Sequence, residues 1–195
     1  MIIEIEGIDG IGKTTQCRLL KRWLESGGQQ SIIVKDLEST QLGRQIKEIF
    51  TTDTPRTKEV EMFGFLCCKA HLFAEIIEPS TINGIWVICD RGIASFLSYF
   101  EALSFDAEFL KRVMATAFPE KFKPVTVFLD GNVSEAIRRN MAKPAHSKFD
   151  NMGFEFFEKQ QLVYRRLATE NHWIVINGNE TIDAIHKSIT NEVTK

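Results

Sequence analysis

The sequence predicts an α/β fold, a parallel sheet with helices on both faces, on three observations. Short β-rich runs recur along the chain, and longer stretches with helical spacing separate them. GIDGIGKT, residues 7–14, sets glycines and a lysine directly after the first run, where a strand would hand over to a helix. Glycine is costly to order, so Gly7, Gly10 and Gly12 in such close succession mark backbone that no side chain can be allowed to obstruct.

In chain order, Ile2–Glu6 is the first strand, and Glu4 within it is an oddity because interior parallel strands carry little charge. A helix over Lys13–Glu25 places Cys17, Leu20 and Leu24 at helical spacing and stops at Gly27-Gly28. Ser31–Lys35 is the second strand. Helices are expected over Leu42–Phe50 and, as one long element, over Lys58–Ile77 before Pro79. Ile85–Cys89 is the third strand, followed by helices over Ile93–Leu103 and Asp106–Ala117. Val125–Leu129 is the fourth strand, with a helix over Val133–Asn140 behind it. Residues 140–153 form the least regular segment, mixing Lys143, Pro144, His146, Lys148 and Gly153 as a closing flap would. A helix over Phe154–Ala168, a strand over Trp173–Ile176 and a helix over Thr181–Ile189 complete the set, with no internal repeat.

At 195 residues and 44% hydrophobic content, the chain is expected to form one domain over residues 1–195. Its net charge of -2 argues against a broad electrostatic hold on nucleic acid or acidic lipid, so an anionic ligand must be met by a local site. Cys17, Cys67, Cys68 and Cys89 follow no metal-ligand spacing and read as reduced core thiols. With neither a basic, apolar leader nor a long apolar span, a cytoplasmic protein is expected.

The opening loop fits G-x-x-x-x-G-K-[ST] through Gly7, Gly12, Lys13 and Thr14. Between a strand and a helix, the backbone N–H groups of Gly7, Ile8, Asp9, Gly10, Ile11, Gly12, Lys13, Thr14 and Thr15 can converge on phosphates, and the helix N-terminus adds positive charge. Lys13 would neutralise β/γ oxygens, and Thr14 would ligate Mg²⁺. The motif thus points to a nucleoside triphosphate such as ATP with Mg²⁺.

GIWVICDRG, residues 84–92, places Asp90 and Arg91 at the C-terminal end of another interior strand, the ligand edge of an open parallel sheet. The carboxylate there would hold Mg²⁺ through water and the guanidinium would bind phosphate; a surface ion pair is the plainer alternative. Asp9 either caps its turn or accepts a hydrogen bond from a substrate hydroxyl.

Together these features resemble the thymidylate kinase family of P-loop nucleoside monophosphate kinases, along most of the chain. EGIDGIGKTTQ resembles its phosphate loop, STQLGRQI the segment after its second strand, and PSTINGIWVICDRGIAS its Asp-Arg strand end. PVTVFLD resembles its fourth strand and FEFFEKQQLVYRRL its post-lid helix. The resemblance implies a three-layer α/β/α fold with a five-stranded parallel sheet and a small lid, ATP and Mg²⁺ as donor, a dTMP acceptor and a homodimer.

By position, the resemblance assigns Asp9 to the sugar 3'-hydroxyl, Arg91 to the transferred or acceptor phosphate, and Ser95 and Tyr99 to the acceptor pocket. Phe65 falls where the family stacks a ring on thymine, although a core role fits it equally. Arg139, Lys143 and Lys148 would supply lid cations, unless that loop is simply solvated. The pattern also departs in places. Lys35-Asp36-Leu37-Glu38 replaces an acidic-proline-glycine segment and sets an acid at position 38 close to the expected phosphate pocket. Lys69 stands for a base-reading arginine, Gly92 for an aromatic residue, Phe100 for an amide side chain, and Ser147-Lys148 for Asp-Arg. A same-fold kinase for another nucleotide, nucleoside or small acceptor is the first alternative, and a non-catalytic nucleotide switch the second.

Overall fold

Parallel neighbours cannot be joined by a tight turn, so every strand of such a sheet must be followed by a crossover. The computed structural model describes residues 1–52, 54–142 and 152–193. Its strands are β1 (Ile2–Glu6), β2 (Ser31–Val34), β3 (Trp86–Asp90), β4 (Val125–Asp130) and β5 (Ile174–Asn177), in the order β2-β3-β1-β4-β5. All four neighbouring pairs are parallel. The helices are α1 (Lys13–Ser26), α2 (Gln41–Thr51), α3 (Lys58–Leu72), α4 (Glu78–Ile82), α5 (Ile93–Ala102), α6 (Ala107–Ala117), α7 (Val133–Met141), α8 (Phe154–Glu170) and α9 (Ile182–Val193).

Alternation along the strands assigns the layers. Ile3, Ile5 and Ile88 pack with Cys17, Leu20 and Leu24 of α1 and with Ile185 and Ile189 of α9. Ile2, Val87 and Cys89 point the other way, into a cluster with Leu72 of α3, Phe96 and Phe100 of α5, and Leu110 and Met114 of α6. Glu4 and Glu6 alternate onto that second face, with only 1% and 0% of their surface exposed. Glu4 sits in register between Cys89 of β3 and Thr126 of β4.

The long helix differs from its expected form. α3 ends at Leu72, Phe73–Ile77 form a π-helical turn, and α4 then runs past Pro79 to Ile82. Pro79 falls in the first turn of α4, directly after the π-helical turn, so the chain continues where the sequence suggests a stop. The cysteines are unbridged, and Cys17, Cys68 and Cys89 are buried as expected, but Cys67 is exposed, because its neighbour Cys68 takes the inward face of α3.

Candidate active site

The glycines of the first loop answer two separate demands. Gly7, Gly10 and Gly12 all have positive φ, at 137°, 85° and 115°. A Cβ on Gly10 would also stand 1.9 Å from the Ala136 carbonyl oxygen of α7, whereas at Gly12 it would meet nothing within 4 Å. The loop is therefore clamped on one side and open on the other. Ile8 and Ile11 are buried in the core, so their contribution to a ligand is backbone alone.

Lys13 curls over this loop, its Nζ donating to Ile8 O at 2.8 Å and lying 3.8 Å from the Asp9 carboxylate. Burial, with Arg91 nearby, lowers its pKa to about 8. Next to it, Thr14 Oγ1 donates to Asp90 Oδ2 at 2.6 Å. Burial pulls the Asp90 carboxyl upward, but the Thr14 bond and the Lys13, Lys35 and Arg91 charges outweigh it and leave the carboxyl below its ordinary range. Lys35, at the end of the second sequence run, reaches Asp90 at 3.2 Å and Glu38 at 3.6 Å.

Asp90 and Arg91 stand at the C-terminal end of β3, as the sequence places them. Arg91 has φ 80°, unusual for a side-chain-bearing residue at such a turn, and it pairs with Asp9 and donates to Ser95 Oγ at 3.2 Å. The turn is held from behind by Glu6, which the motif reading passes over. Its carboxylate accepts from Gly92 N at 2.7 Å, from Ser95 N at 3.0 Å and from Tyr164 Oη at 3.1 Å, and it also bonds the Ser95 hydroxyl. Tyr164 is fully buried and stacks on Phe128 at 5.2 Å. The signal available in sequence was an acid ending an interior strand, beside the more conspicuous Glu4.

One cavity of 810 Å³ runs from this loop past Arg91 to an aromatic end made by Phe65, Tyr99, Phe100 and Phe156. Phe65 is partly exposed, with ring centroids of Phe50, Phe100 and Tyr99 at 5.3, 6.0 and 6.4 Å. Phe100 is 1% exposed and belongs to the core as well as to the cavity wall. Lys69 is buried, donating to Asp36 Oδ2 at 2.7 Å and to Gly92 O at 2.7 Å, so it ties the β2 end to the β3 turn. Burial works against the Lys69 charge, but Asp36 outweighs it and holds the ammonium above its ordinary range.

Gln160 reaches Ser98 Oγ at 3.3 Å in the same region. Arg139 lines the cavity with its guanidinium bonded to Glu135 at 2.8 Å. Lys143, His146, Ser147 and Lys148 lie outside the described residues.

The oxygen donors Thr14 and Asp90 suit a hard cation, and among the described residues no cluster of three or more His, Cys, Asp or Glu could hold a metal. Mg²⁺ fits this set, because it is usually held by one or two protein oxygens, waters and substrate phosphates. The open cradle at Gly12, with Lys13 over it, fits a phosphate chain. Among the described residues no helix is long and apolar enough to cross a membrane.

A five-stranded parallel sheet with such a loop after β1 and an Asp-Arg pair after β3 defines a P-loop α/β protein of the nucleoside monophosphate kinase class. A family profile described as thymidylate kinase matches residues 5–189. The thymidylate kinase of Fervidobacterium nodosum is 32% identical over 97% of this chain and 96% of that protein. That of Caldanaerobacter subterraneus is 32% identical over 98% and 93% respectively. In fold, the crystal structure of thymidylate kinase from Ehrlichia chaffeensis superposes with a TM-score of 0.81 at 23% identity, over 100% of this chain and 98% of that one. The chain belongs to the thymidylate kinase family.

Proposed function

We propose that the protein transfers the γ-phosphoryl group of ATP to dTMP, giving ADP and dTDP, without a covalent enzyme intermediate. The observation that supports this most is the single cavity that joins the phosphate loop to the aromatic end with Arg91 between them. Donor phosphates bind along the backbone of Gly10–Thr15, with the Lys13 ammonium exchanging its bond to Ile8 O for phosphate oxygens. Thr14 and Asp90 would hold Mg²⁺, which when bound neutralises phosphate charge. Arg91, oriented by Asp9 and Ser95, binds the acceptor phosphate and stabilises charge on the migrating group. Asp9 accepts a hydrogen bond from the sugar 3'-hydroxyl. Phe65 stacks on the base, and Tyr99 packs beside the sugar.

Arg139, Lys143 and Lys148 add cations from the lid side, and closure of that segment excludes water and suppresses ATP hydrolysis. A cytoplasmic homodimer belongs to the same reading.

Lys69 and Phe100 favour a second reading, a same-fold kinase for another acceptor, because the lysine is committed to Asp36 and Gly92 and the phenylalanine offers no hydrogen bond to a base. Turnover with ATP against a panel of nucleoside monophosphates and nucleosides decides between them. The expected result is dTMP as the best acceptor; robust turnover of another acceptor with none of dTMP overturns the assignment.

A further inference from the structure

Two oddities of the sequence, an acid inside the central strand and a glycine after the Asp-Arg pair, meet in space. A Cβ built on Gly92 would lie 2.0 Å from Glu4 Oε1 and 2.6 Å from Glu4 Cγ, so the glutamate fills the volume a side chain at 92 would take. Gly92 has no positive φ, so space rather than backbone handedness demands the glycine. Nor is the carboxylate free to swing aside. Its Oε1 accepts from Ile93 N at 2.9 Å, its Oε2 accepts from Thr126 Oγ1 at 3.3 Å, and 1% of the residue is exposed. Losing either bond would leave a buried donor without its partner.

Glu4 also stands behind the acceptor machinery. The backbone it braces carries Arg91 on one side of Gly92 and α5, with Ser95 and Tyr99, on the other. Lys69 binds the carbonyl of the same Gly92. Glu4, Asp36, Lys69 and Gly92 line a cavity of about 10 Å³, the lower limit for one water. Glu6 holds the turn through Gly92 N and Ser95 N, leaving Ile93 N to Glu4. The two acids of β1 therefore divide the first N–H groups of α5 between them, where a helix start has no partners of its own.

We propose that Glu4 is a positioning residue for acceptor binding: paired with Gly92, it fixes the Asp90-Arg91-Gly92 turn and the start of α5, and so the place of Arg91 and Tyr99. The proposal rests on the acceptor reading above. Arg91 and α5 carry the acceptor groups, while the same turn reaches the donor loop through the Thr14 bond to Asp90 and the Asp9 pair with Arg91, so the larger effect falls on the acceptor. A displacement of about 1 Å at a positioning group costs up to about 100-fold in rate, and a shift of the Arg91 turn is of that kind.

The test is steady-state kinetics of the full chain with ATP and dTMP varied in turn, on Glu4→Ala, Glu4→Gln, Gly92→Ala and the Glu4→Ala/Gly92→Ala double variant, alongside thermal melts. Gly92→Ala is expected to raise the KM for dTMP about tenfold or more, with the KM for ATP within about twofold. In the double variant the added methyl group occupies the vacated volume, so much of that loss returns and the two changes are not multiplicative. Glu4→Gln keeps an acceptor for Ile93 N and stays within about threefold of the parent, unlike Glu4→Ala.

A Gly92→Ala protein with parental KM values, a double variant equal to the product of its parts, or an equal rise in both KM values overturns the proposal. If Gly92→Ala fails to fold, a folded double variant supports the pairing and an unfolded one overturns it. If dTMP is not turned over but another monophosphate is, the acceptor assignment has failed and the same comparison is made with that monophosphate. No turnover with any acceptor overturns both.

Discussion

Lys13 shows how much a single side chain is asked to do in the free protein. Its ammonium is buried, neighboured by Arg91, and held by one carbonyl and one nearby carboxylate, so it keeps its charge less firmly than an ordinary lysine. On the proposed reading, a phosphate would supply the missing counter-charge. Lys13→Ala is therefore expected to lower kcat/KM at least about 100-fold, the size of one preorganised charge donor, while melting changes little; near-parental kcat/KM in the assay overturns the role. Because the free lysine titrates near about 8, its charge is present below that pH and lost above it. ATP binding, followed by calorimetric titration at about pH 7 and about pH 9.5, should weaken at the higher value in the parent and be flat for Lys13→Met.

The placement of Lys13, Thr14, Asp90 and Arg91 beside one cleft was legible because each follows a strand end, which local pattern reveals. Lys35, Glu6 and Tyr164 were not legible, since what brings them to the same turn is pairing between segments far apart in sequence.

At the scale of elements, helix starts do most of the positioning. α2 begins at Thr40, whose Oγ1 accepts from Gly43 N at 2.9 Å, and this cap closes the segment that carries Lys35, Asp36 and Glu38 to the cleft. Thr40→Ala is expected to cost about 1 kcal/mol. For a chain of this size that lowers the melting temperature by about 2–4 °C, which differential scanning calorimetry resolves; an unchanged midpoint counts against the cap. The start of α5 is capped differently, by carboxylates from a neighbouring strand rather than by its own N-cap, Gly92. No local signature announces that kind of cap. The same holds for α3 and α4, where a π-helical turn lets the chain accept Pro79 and run on. Sequence rules place a proline correctly at a helix boundary, but whether the boundary interrupts or merely restarts the helix is set by packing.

For the molecule as a whole, the buried acid in the central strand ties stability to pH. Burial, then the neighbouring Glu6, raises the Glu4 pKa from 4.5 to about 8. The native state thus holds a proton that the unfolded chain has released between those values. The stability contributed by protonated Glu4 is full below about pH 4.5 and is lost as pH rises through about 8. Relative to the parent, Glu4→Gln should gain in melting temperature from pH 5 to pH 9 and level off beyond, each kcal/mol amounting to about 2–4 °C. Parallel melting curves across that range would show that Glu4 is ionised in both states.

What the sequence determined by itself was the layered α/β fold and the glycine-rich loop at one end of the cleft. Both follow from short-range pattern: period-two and period-3.6 hydrophobicity, and glycines where the backbone must turn or come close. Only tertiary structure decided the surroundings of the cleft's aromatic end. Lys69, Phe100, Gly92 and Glu4 each stand as an isolated departure along the chain, and each acquires its meaning from a partner on another element, Asp36, the aromatic core, or one another. Burial decides such residues through the volume and the hydrogen-bond partners left to them, and neither is local to the chain.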